Sequence, residues 1–65
     1  MLSKNDICYS CRILKMESNP DKTIGDVIDM ANYSTDPSQT YCLFYSEIED
    51  AGCCRSCLAK IAHYT

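Results

Sequence analysis

Cys53-Cys54-Arg55-Ser56-Cys57-Leu58, near the end of a 65-residue sequence, is the stretch from which the fold is read. Cys54 and Cys57 form a Cys-x-x-Cys pair. A second pair, Cys8 and Cys11, stands near the other end in Ile7-Cys8-Tyr9-Ser10-Cys11-Arg12. Structural zinc prefers soft thiolates in a closed tetrahedron, and a two-residue gap lets a tight turn present both sulfurs of a pair to one ion. Two such turns complete the four ligands. The expected donors are therefore Cys8, Cys11, Cys54 and Cys57, the expected cofactor is structural Zn2+, and one ion is expected to close the whole chain.

The length supports that emphasis. Residues 1–65 make one domain, and a domain this small buries only roughly 60% of the surface of its unfolded chain. Staples are the rule at this size. Zinc bound to small structural sites contributes roughly 10–16 kcal/mol at neutral pH, more than so small a core supplies. The metal-free chain is expected to be unfolded or molten.

Other ligand sets are open. Cys53 could replace its neighbour Cys54, and Cys42 and His63 are further candidate donors. His63 is expected to be exposed on a last helical turn, and Cys42 to pack as a small hydrophobe. Six cysteines in a short chain also fit a secreted signalling or toxin-like peptide with three disulfides, and the Cys53-Cys54 doublet suits that alternative. Against it, no apolar signal stretch follows Met1, and no cysteine occurs between Arg12 and Tyr41. The expected setting is intracellular, cytoplasm or nucleus, with thiols reduced; the disulfide alternative would be secreted. Nothing approaches the roughly 18 apolar residues of a membrane span.

The net charge is −3, with basic ends and an acidic centre. Lys4, Arg12 and Lys15 lie in the first segment and Arg55 and Lys60 in the last, while the middle carries Asp and Glu. A tetrathiolate zinc site is anionic, so Arg12 and Arg55 beside the pairs are expected to offset its charge. Nucleic acid is a disfavoured partner, since such domains carry a far stronger basic bias. Catalysis is not expected. One histidine leaves no Ser/His/Asp set, a redox Cys-x-x-Cys belongs to a larger βαβ scaffold, and Asp26 and Asp29 fall on a solvent face.

The remaining pattern predicts a small α+β fold. Ile7 to Glu17 reads as a short strand or hairpin arm, and Ser18-Asn19-Pro20-Asp21 as a turn. Thr23 to Tyr33 reads as a helix: Thr23 and Asp26 form a capping box, and Ile24, Val27, Ile28 and Ala31 share one face. Asn32 to Gln39 reads as a loop. Thr40 to Ser46 is rich in aromatic residues and reads as a strand, although Ser46 and Glu49 could instead cap a helix start. Gly52 marks a turn. From Cys54 a final helix follows, with Cys54, Cys57, Leu58 and Ile61 on one face and Ala62 alongside.

Knuckle, strand, helix, knuckle and helix in that order resemble a treble-clef zinc finger. Ile7-Cys8-Tyr9-Ser10-Cys11-Arg12, the helix from Ile24 to Ala31 and Cys53-Cys54-Arg55-Ser56-Cys57-Leu58 are similar to the zinc-finger-associated domain of insect transcription factors. That resemblance implies a zinc-closed module that contacts a protein partner, or a second copy of itself as a homodimer, rather than reading bases. Tyr41, Phe44 and Tyr45 are candidates for the contact surface, because aromatic residues are enriched at interfaces. They are also candidates for the core of a domain this small.

Overall fold

In the computed structural model, which describes residues 2–65, the aromatic segment is helical. Tyr41 is completely buried and Phe44, Tyr45 and Ile48 follow it at i+3, i+4 and i+7, all buried or half-buried. That is a helical stripe, and it overrides the β preference of the individual aromatics. The helix, α3 (Pro37–Asp50), runs straight through the predicted strand and through the alternative start at Ser46. Its true beginning lies in the predicted loop. Asp36 is the N-cap, accepting from the Gln39 amide, and Pro37 occupies the first turn, where its missing N–H costs nothing.

The expected α+β class is thus overturned. Four helices make the fold: α1 (Tyr9–Arg12), α2 (Ile24–Asn32), α3 and α4 (Arg55–Ala62), preceded by a 3-10 turn at Lys4–Asp6. Among the described residues there is no sheet, only one isolated antiparallel bridge between Lys15 and Thr23. The predicted strand from Ile7 to Glu17 holds α1 instead, and its hairpin character survives only in that bridge. The bridge closes over the predicted turn, where Met16 donates to the Lys22 carbonyl and Lys22 to that of Asn19.

The central helix forms as the pattern requires. Thr23 Oγ1 accepts from the Asp26 amide, and the Asp26 carboxylate accepts from the Thr23 amide and hydroxyl. Those bonds hold the Asp26 carboxyl below its usual range, the Thr23 amide contributing most. Ile24, Val27, Ile28 and Ala31 are all fully buried. α2 packs chiefly on α3, and α3 in turn on α4. Two glycines serve these junctions. Gly52, after α3, has a positive φ of 86° that a side chain would strain. At Gly25 a Cβ would stand 3.3 Å from the Arg12 carbonyl, so α1 and α2 approach closely because glycine is there.

Tyr41 is therefore a core residue. Its ring packs 5.7 Å from that of Tyr64, and its buried hydroxyl has no hydrogen-bond partner. An unpartnered buried polar group carries a desolvation cost of roughly 1–3 kcal/mol. Tyr41→Phe is thus expected to hold or raise stability, by up to about 1 kcal/mol. Ile48→Ala, which opens a cavity, is expected to lose about 2–5 kcal/mol. Chemical denaturation of the two variants checks both signs, and a destabilised Tyr41→Phe would show that the hydroxyl has a partner.

Candidate metal centre

Both cysteine pairs begin helices. Cys8 is the N-cap of α1 with φ −62° and ψ 154°, and Cys54 is the N-cap of α4 with φ −64° and ψ 154°. The sequence pointed to this placement for the second pair only. The first pair does the same on a helix of a single turn. In each, the first cysteine is exposed and the second, at the third helical position, is buried.

The two knuckles meet. The sulfurs of Cys8, Cys11, Cys54 and Cys57 all lie within 4.8 Å of one another, and those of Cys8 and Cys54 are 4.0 Å apart. A tetrahedron with bonds of about 2.3 Å places its sulfurs about 3.8 Å apart, so a small inward movement brings this cluster onto one ion. The knuckles also bond reciprocally. The Cys8 amide donates to Cys57 Sγ at 3.3 Å, and the Cys54 amide donates to Cys11 Sγ at 3.1 Å. Each amide thus stabilises charge on a sulfur from the other end of the chain. The chemistry of the set, four sulfurs with N–H donors from the opposite knuckle directed at two of them, fits a thiophilic metal such as zinc.

The alternative ligands lie elsewhere. Cys53 is buried beside the cluster but is not one of its four sulfurs. Cys42 is exposed on α3 rather than packed, since the segment is a helix whose stripe excludes it. His63 caps the end of α4, exposed, with its ring edge-on to Tyr64 at 5.2 Å. Arg12 lies over the Tyr9 ring, 5.9 Å from its centre. All six cysteines are free thiols, so the three bridges of the disulfide alternative are not made.

Sequence reasoning passed over Ser56, whose hydroxyl oxygen is 3.6 Å from Cys54 Sγ. The signal was available, because Cys8-Tyr9-Ser10-Cys11 and Cys54-Arg55-Ser56-Cys57 share the form Cys-x-Ser-Cys. No protein-family model, curated protein or solved structure matches the chain. The centre is therefore assigned by its own geometry.

Protonation divides the sulfurs as exposure does. Cys54 is drawn down to about 6, first by the Ser56 hydroxyl and then by the Cys57 amide. Cys8 is also lowered, chiefly by the Cys11 amide. Burial pushes Cys11 and Cys57 up to about 12. A bound dication reverses the balance at the buried pair by favouring thiolate. Metal binding must then expel the protons of Cys11 and Cys57, so protons compete with the metal. Apparent zinc affinity is expected to fall steeply from about pH 8 to about pH 6. Competition with a chromophoric chelator across that range measures it, and a flat profile would contradict thiolate ligation.

Proposed function

We propose that the chain is a small protein-interaction module, regulatory or dimerising, closed by one structural zinc ion and without catalytic activity. The observation that carries the proposal is the cluster of four sulfurs within 4.8 Å, drawn from the two ends of the chain. With four protein donors a tetrahedral ion has no open position for substrate or activated water, which is the mark of a structural site.

A partner-binding role is supported by what the fold leaves outside. Tyr9 is 69% exposed and Leu43 is 73% exposed, on helices whose opposite faces are buried. Ile13 and Tyr33 are exposed as well. These residues, with the half-buried Phe44 and Tyr45, replace Tyr41 in the contact surface suggested by sequence. The acidic balance of the chain favours a protein partner or a second copy over nucleic acid. Among the described residues, no helix is long and apolar enough to cross a membrane.

Native mass spectrometry is expected to find one zinc per chain, removed by chelator with collapse of the far-ultraviolet helical signal. Cys57→Ala is expected to weaken zinc binding by more than the roughly 10–100-fold typical of losing an outer-shell partner. Cys42→Ala should leave binding unchanged. A full-affinity Cys57→Ala protein would remove the basis of the proposal.

Association is tested separately, on zinc-loaded protein. Sedimentation over a range of concentrations and affinity capture are expected to reveal a dimer or a bound partner, weakened by Tyr9→Ser or Leu43→Ser. A strictly monomeric chain that captures nothing would refute the interaction role while leaving the metal centre intact.

A further inference from the structure

Resting on the metal-site reading above, we infer that Cys8 and Cys54 form an oxidant-reactive edge of the cluster, where hydrogen peroxide couples the two thiolates into a disulfide and releases the metal. The four donors fall into two kinds. Cys11 and Cys57 are each 3% exposed, and each sulfur accepts an amide N–H from the opposite knuckle. Cys8 and Cys54 are exposed, and their sulfurs face each other at 4.0 Å. An oxidant arriving from solvent meets the exposed pair first.

The chemistry needs no group beyond these two sulfurs and the peroxide. Ligation keeps both as thiolates, the nucleophilic form. Cys8 Sγ attacks the O–O bond, one oxygen leaves as hydroxide, and Cys8 becomes a sulfenic acid. Cys54 Sγ then attacks that sulfur, the S–O bond breaks, and a second hydroxide departs as the S–S bond forms. The sulfurs together lose two electrons and the peroxide gains them. Two protons from solvent convert the hydroxides to water. The roles of the two sulfurs are interchangeable.

The second sulfur is already in position. Closing the gap to a disulfide length of about 2.05 Å moves each sulfur by about 1 Å. The bond would join residues 46 positions apart, so the covalent link closes the chain where the metal had closed it. Cys11 and Cys57 are not oxidised; two donors no longer hold the ion, and as it leaves they take up two further protons from solvent and become thiols. A dithiol reductant with added zinc restores the starting state.

The zinc-loaded protein is treated with hydrogen peroxide while a colorimetric chelator records released zinc. Non-reducing tandem mass spectrometry that separates Cys53 from Cys54 maps the pairing. The expected result is zinc release in step with a Cys8–Cys54 disulfide, reversed by dithiothreitol, with the release rate of Cys42→Ser within about twofold of the parent. Limiting iodoacetamide should label Cys8 and Cys54 before Cys11 and Cys57. A first disulfide within one knuckle, or one through Cys11, Cys42, Cys53 or Cys57, would overturn the inference, as would equal labelling of all four ligands. A chain that loads no zinc would bring down the metal-site reading as well. One that loads zinc but pairs differently loses this inference alone.

Discussion

Everything in this fold is arranged around one meeting of the chain ends. Cys8 and Cys11 must reach Cys54 and Cys57, and the contact is made by sulfur and backbone together. The amide of each exposed cysteine bonds to the buried sulfur of the opposite knuckle. Neither knuckle completes these bonds alone. The contact also carries a conflict, because burial disfavours charge on the two sulfurs that receive an N–H from the opposite knuckle. Two amides only partly offset that penalty, and a bound dication would remove it by holding all four sulfurs as thiolates.

The helices act as the frame of that contact. α4 begins at Cys54 and buries Cys57 and Ile61 on its inner face. α2 supplies a fully apolar face, and α3 lies between it and α4 with Tyr41 and Ile48 inward. Close approach at Gly25 brings α1, and with it the first knuckle, against the base of α2. A core of this size leaves little surplus stability after conformational entropy is met. Closure by a metal is a proportionate remedy, since its binding free energy is available only to a chain folded well enough to present four sulfurs.

The same geometry divides the cluster into a buried and an exposed half. The buried sulfurs are bonded to the protein on one side and shielded on the other, while the exposed pair faces solvent. The fold would therefore be held by a centre whose outer half is open to oxidation. The exposed Tyr9 lies next to one of those sulfurs in sequence, so the condition of the centre and the shape of the nearby surface are physically linked.

The two cysteine knuckles and α2 were legible in the chain because all are local patterns. A Cys-x-x-Cys spacing and a capping box ahead of an i, i+3, i+4, i+7 stripe need no distant partner to be recognised. The stripe of Tyr41, Phe44, Tyr45 and Ile48 was equally present, but the β preference of its aromatic residues obscured its period. Asp36-Pro37, a helix start, resembled a loop because the same residues serve both. The sequence by itself determined the spacing of each cysteine knuckle and that a helix follows the second, while the choice of Cys54 over Cys53 waited on the structure. Only the tertiary structure decided that the first knuckle also starts a helix, that Tyr41 belongs inside, and which sulfurs face water. Those outcomes depend on packing and hydrogen bonds between residues far apart in the chain, as between Tyr41 and Tyr64 or between Cys11 and Cys54, where sequence spacing carries no information about distance.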